Sequence, residues 1–271
     1  MCIGAFIWQA HPIYPFLLVL NRDEYHDRLT IPLEWWEQGG GGGVEILGGR
    51  DGVAGGTWLA SSKHGKLAFL TNVRELHSLP NLKSRGHLPV RFLESEKDPM
   101  MFAEDVFKEA DQYNGFNLIV ADIYSKSMVY VTNRPKHDTN FIKPVSPGIH
   151  VLTNANLDTP WPKAQRVKQH FTNFLNMYAN DECPIGEMSE KIMRDTIKDE
   201  KEMLPGIFPP EWEHQLSSIY VDIETPKGHY GTRSTSVVSV KTSGEVTFFE
   251  TRLESSLWKD KTMSYMIENI K

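Results

Sequence analysis

With 271 residues, 40% of them hydrophobic and 24% charged, the chain has ordinary globular composition, enough to fill a core and too apolar for intrinsic disorder. A formal net charge of −6, with no stripe of Lys and Arg, argues against a nucleic-acid binder, because phosphate neutralisation needs clustered cations. Cys2 and Cys183 are too few for a disulfide framework. No Lys or Arg precedes Arg22, so a cytoplasmic protein without a secretory or transit leader is expected.

Ile3 to Gln9 and Tyr14 to Asn21 are apolar runs separated by His11 and Pro12, the pattern of a buried strand hairpin; the stretch from Ile13 to Leu20 is shorter than the roughly 20 residues that span a bilayer. Asn21, Arg22, Asp23 and Glu24 then read as a charged strand end. Half of the twenty glycines fall between Gly39 and Gly56. The five-glycine run reads as a loose loop, the Trp35 and Trp36 pair beside it as a mobile apolar lip, and GGRD at 48 to 51 with GGT at 55 to 57 as defined turns. Hairpins are expected at Trp58 to Asn72 and Gly115 to Asn133. Later strands are Gly148 to Asn154, Ile219 to Glu224, Ser234 to Val240 and Glu245 to Thr251. Helical periodicity covers Leu88 to Ala110, Lys163 to Tyr178 and Ser189 to Leu204. Strand groups alternate with helix groups, which predicts α+β architecture with mainly antiparallel sheets in a single domain spanning 1–271.

Removal of the initiator Met1 would leave Cys2 with a thiol and a free α-amine. Those groups titrate near ~8.5 and ~7.7–8.0, so the amine can relay a proton while modest stabilisation makes the thiolate. An N-terminal nucleophile activated by its own amine is an established route to covalent catalysis. The alternative is a small buried hydrophobe at a strand start. If the hairpin returns Asn21 to Glu24 to the level of Cys2, a carboxylate could fix the amine and a guanidinium lower the thiol pKa. Asn72 and Asn154 each close a strand and could donate to a developing oxyanion; Arg233, in YGTRSTS, could hold a carboxylate or stabilise a thiolate. Phosphate-loop, serine-elbow and zinc patterns are missing, so no metal is expected.

Taken as an ordered set, MCI at the start, NRDE at 21 to 24, GGRD, GGTWL at 55 to 59, LTN at 70 to 72, SRG at 84 to 86, GFNL at 115 to 118, TNA at 153 to 155, WPK at 161 to 163 and YGTRS at 230 to 234 resemble the NRDE family along nearly the whole chain. The resemblance implies an N-terminal nucleophile hydrolase-like fold, a four-layer αββα sandwich of two mainly antiparallel sheets, similar to penicillin V acylase and the bile salt hydrolases. It implies Cys2 as nucleophile and Asp23 as anchor of its amine. Arg22 or Arg233 is then the electropositive partner and Asn72 or Asn154 the oxyanion donor, with Arg22, Trp58 and Asn156 against the substrate. Those relatives carry Arg and Asp three residues apart, whereas Arg22 and Asp23 are adjacent and cannot point the same way in an extended strand.

Two functions follow as expectations. One is a cysteine-dependent hydrolase of an amide or thioester, with no cofactor, serving Golgi organisation, secretion and lipid homeostasis. The other is a non-catalytic carrier of haem or an acyl lipid. Either is expected to act on a small-molecule or acyl-lipid ligand, with no nucleic acid, no transmembrane segment and only peripheral contact with Golgi or mitochondrial membranes.

Overall fold

The computed structural model describes residues 2–37, 43–135, 141–179 and 181–268. In chain order the strands are β1 (Cys2–Trp8), β2 (Phe16–Tyr25), β3 (Thr30–Trp36), β4 (Ile46–Asp51), β5 (Leu59–Ser62), β6 (Lys66–Asn72), β7 (Phe116–Asp122), β8 (Ser127–Thr132), β9 (Ile142–Pro144), β10 (Gly148–Leu152), β11 (Asp222–Thr225), β12 (Gly228–Val240), β13 (Glu245–Glu254) and β14 (Leu257–Met266). The α-helices are α1 (His87–Glu94), α2 (Pro99–Lys108), α3 (Pro162–Met177), α4 (Ile185–Met193) and α5 (Pro210–Gln215). The class is α+β, with two seven-stranded sheets whose described pairings are antiparallel.

The chain divides into two compact units. The first takes it up to Asp27, residues 74–76 and 147–264; the second takes 28–73, 77–146 and the residues from 265 on. In the first unit the strand order is β10-β1-β2-β12-β13-β14, with β11 added to β12. Alternation along β1 and β2 turns Ile3, Ala5, Ile7, Leu17 and Val19 toward one face, where they pack with Val167, Phe171 and Phe174 of α3 and with Met188 and Ile192 of α4. In the second unit β3 to β9 run in sequence order. Ala68, Leu70, Leu118 and Val120 of that sheet form an apolar core with Phe92 of α1 and Phe102 of α2.

Several local expectations change. Periodicity from 88 to 110 conceals a break, because Asp98 caps a new helix by accepting from the Met100 and Met101 N–H groups at 2.9 and 3.0 Å, and Pro99 starts it. The helix expected over 189–204 spans Ile185–Met193 instead. GGRD is strand, not turn: Trp36 Nε1 donates to the Gly48 carbonyl at 2.9 Å, and the Thr57 hydroxyl to that of Gly49 at 2.6 Å. Trp35 and Trp36 belong to β3 rather than to a lip. The glycine run at 39–43 lies outside the described residues except for Gly43. The SRG and GGTWL segments meet where Thr57 N–H donates to the Gly86 carbonyl. A Cβ on Gly56 would sit 2.3 Å from that carbonyl carbon, so close backbone approach demands glycine.

Candidate active site in the first unit

Cys2 opens β1 and is directly opposite Arg22 of β2. The charged tetrad is not a strand end, because β2 continues to Tyr25 and pairs on its other side with β12, Arg22 opposite Ser234 and Asp23 opposite Thr232. Residues paired across strands share a face, so Cys2, Arg22 and Ser234 form one row. Asn21 and Asp23 point to the opposite, helix-covered face. The adjacency of Arg22 and Asp23 therefore puts their side chains on two faces.

Cys2 is 9% exposed. Burial pushes its thiol pKa up and the Asp23 carboxylate adds to this, while the amino-terminal charge, Arg22 and the main-chain N–H of Asp23 pull it back. Desolvating the anion outweighs the cations around it. Met1, whose removal the scheme requires, lies outside the described residues.

Asp23 is 3% exposed, and its carboxylate accepts from the Thr232 hydroxyl at 2.8 Å. Burial raises its pKa, opposed by the amino-terminal charge, Lys163, the Thr232 bond and Arg22. Thr232 Oγ1 also accepts from the Val221 N–H at 3.0 Å, while its own N–H donates to the Val221 carbonyl at 2.7 Å. A Cβ on the neighbouring Gly231 would lie 2.3 Å from that same carbonyl oxygen, which accounts for the glycine in YGTRS. Asn21, fully buried, is a clamp: its amide donates to the carbonyls of Met193 and Ile219 at 3.0 and 3.1 Å and accepts from Thr235.

Arg233 does not precede a strand. It is the extra residue of a bulge in β12, between Thr232 and Ser234, and it donates to the Tyr25 carbonyl at 2.8 Å. Bulges of this kind re-aim side chains beside functional sites. Burial and then the nearby Arg22 charge lower its pKa, so two guanidiniums share this region. Asn154 lies two residues beyond Leu152, which pairs with Gly4; its carbonyl accepts from the Arg74 N–H at 2.7 Å. Asn156 is half-buried in the same connection.

Asn72 and Trp58 belong to the second unit. Asn72 ends β6 opposite Phe116, and Trp58 precedes β5 with its carbonyl accepting from Leu70. The structure thus gathers Cys2, Arg22, Asp23, Asn154, Asn156 and Arg233 in one unit and carries these two in the other.

Three further residues were not singled out from sequence. Lys163, at the start of α3 and 3% exposed, donates to the Leu216 carbonyl at 2.9 Å. Arg74 pairs with the fully buried Glu213 at 3.4 Å and lies over the rings of Trp161 and Phe208 at 4.8 and 5.7 Å. Tyr230 donates to the Asp23 carbonyl at 3.3 Å, and burial followed by Asp23 holds its hydroxyl well above the ordinary range. Lys163 left a legible signal, a lysine in helical phase with Val167 and Phe171 on a buried stripe.

Among the described residues no helix is long and apolar enough to cross a membrane. Against solved structures the chain is similar to a conjugated bile acid hydrolase from Clostridium perfringens, at 8% identity and a TM-score of 0.48 over 98% of this chain and 96% of that one. It is also similar to a Caenorhabditis elegans ortholog of N-acylethanolamine-hydrolyzing acid amidase, at 12% identity and a TM-score of 0.46 over 87% and 92%. A Transport and Golgi organization 2 homolog from Mus musculus is 30% identical over 99% of this chain and all of its own length; the Homo sapiens homolog is 31% identical over the same shares. The family model for Transport and Golgi organisation 2 matches residues 1–255, and the chain belongs to that family.

Proposed function

We propose that the protein is an N-terminal-cysteine hydrolase that cleaves an amide or thioester in an acyl-bearing lipid metabolite. The observation that carries this reading is the pairing of Cys2 with Arg22 on one face while Asp23, the next residue, lies buried on the other. A structural cysteine has no use for two buried charges at its own level of the sheet.

Once Met1 is removed, the Cys2 amine takes the thiol proton and the sulfur attacks the substrate carbonyl. The ammonium then returns that proton to the leaving amine or thiol as the C–N or C–S bond breaks, leaving an acyl-cysteine. Water, deprotonated by the same amine, attacks the acyl-cysteine; the proton returns to the sulfur and the carboxylic acid is released. Asp23 anchors the amine, Arg22 and Arg233 supply positive potential near the sulfur, and Asn154 donates to the oxyanion. Asn156 contacts the substrate. The buried resting thiol suits this scheme, because substrate entry and proton transfer, not a standing thiolate, create the nucleophile.

The family name supports a role in Golgi organisation, and turnover of acyl lipids at membranes, with peripheral contact, is the role we assign to this reaction. The test is trapping: long-chain acyl thioesters and acyl amides are offered to the protein, and residue 2 is searched for an acyl adduct by peptide mass. An adduct on Cys2 that turns over supports the reading, and its absence with every substrate contradicts it. The neutral, buried thiol also favours a second reading, a carrier that holds haem or an acyl chain at these residues without turnover. Saturable binding that survives Cys2→Ala would select the carrier.

A further inference from the structure

Cys2 and Arg22 share their row with a third side chain, Ser234. It is 4% exposed, and its enclosed Oγ meets no hydrogen-bond partner among the described residues. Buried hydroxyls are rarely left so, because desolvation without a bond is costly and the O–H rotates to whatever acceptor is near.

The bulge in β12 decides where that hydroxyl points. Thr232 pairs with Asp23, so in an unbroken ladder residue 233 would meet Arg22, and Ser234 would turn to the helix-covered face opposite Asn21. The extra residue, Arg233, sets Ser234 opposite Arg22 instead, on the face of Cys2. On its other side Ser234 pairs with Arg252 of β13, so one level of the sheet reads Cys2, Arg22, Ser234, Arg252. Both cross-strand neighbours of the hydroxyl are guanidiniums, which donate and never accept. Arg252 is engaged by Glu254 at 2.7 Å. The buried carboxylate of Glu250 stands one row away, opposite Ser236, and takes no bond from Ser234.

Neighbouring strands lie about 4.8 Å apart, so Ser234 is roughly 10 Å from Cys2 across β2. That is too far for the hydroxyl to serve the sulfur. It is close enough to meet a second group of a molecule whose carbonyl is under attack there. Resting on the reading that Cys2 is the nucleophile, we propose that Ser234 determines specificity: its hydroxyl donates to an acceptor oxygen, of a carboxylate or an amide, that the substrate carries about two strand spacings from the scissile carbonyl. The substrate is then an acyl compound with a polar group on that side of the bond; hydrocarbon in that place would leave the hydroxyl unsatisfied.

The test uses three alkylating probes of matched shape, the N-bromoacetyl derivatives of β-alanine, β-alaninamide and isopentylamine, which end in a carboxylate, an amide and an isopropyl group. Rates of Cys2 modification in the full chain are read by peptide mass, each divided by the rate of the same probe with glutathione. An acceptor-ended probe is expected to modify Cys2 roughly 3- to 10-fold faster than the isopentyl probe, the scale of one hydrogen bond, and the faster of the two acceptors tells carboxylate from amide. Ser234→Ala is expected to bring the three ratios together and to leave the urea midpoint equal or higher, because it removes a buried group that has no bond to lose.

Equal ratios in the wild type, or a preference that survives Ser234→Ala, overturn the proposal. So does a lowered midpoint or a loss of the fold in Ser234→Ala, which would give the hydroxyl a structural bond inside the protein. Failure of the hydrolase reading shows separately, as an end-group preference at Cys2 with no acyl adduct formed or turned over on that residue. A Cys2 that none of the probes modifies removes both.

Discussion

The two sheets bury very different things. In the second unit the face under α1 and α2 is lined by Ala68, Leu70, Leu118, Val120, Val129 and Val131, and the buried Asn117 is held by Thr71, which accepts from its amide, and by Tyr130, which donates to its carbonyl. In the first unit the same kind of face begins apolar and then turns to Asn21, Asp23, Thr232 and Lys163 toward one end, with Cys2, Arg22 and Ser234 on the reverse side. Buried charge is costly, and an apolar replacement of similar volume is often as stable or more so. One sheet is built to hold; the other gives up some cohesion to keep a reactive end.

That contrast is sharpest for the nucleophile. Cys2→Ala is expected to lower hydrolysis by on the order of 10⁴-fold or more while leaving the urea midpoint nearly unchanged, because a nucleophile acts in the transition state and little volume is lost. Cys183, whose thiol burial pushes up to about 11, is the control: Cys183→Ala leaves the rate of the folded protein unchanged. A Cys2 variant with full turnover breaks the comparison.

Two stability experiments of similar size come next. Glu213→Ala removes the carboxylate beside the Arg74 guanidinium, which is 2% exposed, and also the acceptor of the Gly206, Ile207 and Phe208 N–H groups; a loss of about 3–5 kcal/mol is expected in urea denaturation. Phe116→Ala in the apolar unit is expected to cost about 3–5 kcal/mol through its cavity. Its folded fraction should keep the Cys2 alkylation rate, whereas Glu213→Ala should alter it through Arg74 and the Asn154 carbonyl.

A subtler difference lies in pH dependence. An unfolded lysine keeps its proton up to about 10.5, whereas folded Lys163 releases it near 7, so the unfolded state binds more protons between those values. Stability from this group therefore rises with pH across that window. The wild-type rise should exceed that of Lys163→Met, measured as denaturation midpoints from pH 6 to 9; identical slopes would contradict the assignment. Smallest is Arg233→Lys, which keeps the charge and loses the reach to Tyr25. A change of roughly 0.5–1.5 kcal/mol is expected for that hydrogen bond, with a modest fall in Cys2 reactivity.

Much of the fold was written in periodicity. β1, β2, β6, β7, β8, β10 and α3 lie where alternation and helical phase put them, because each has one or two faces against a core. β3, β4, β9 and β14 escaped: GGRD and its neighbours look like turns until a partner strand accepts glycine backbone, and β14 is a mostly exposed edge whose side chains carry no burial pattern. In the candidate site, Cys2 and the tetrad were legible as residue types at adjacent positions. Their division between two faces was not, since it depends on β2 continuing past Leu20 and pairing with β12. The bulge at Arg233 has no sequence signature, and the bond from Lys163 to the Leu216 carbonyl joins residues far apart in the chain.

The most direct test is intact-mass analysis of the native protein followed by a limiting dose of an electrophilic acyl probe. The account predicts a chain lacking Met1 and a single adduct on Cys2, formed well before any on Cys183. Retention of Met1, or labelling of Cys183 at an equal or greater rate, would contradict it.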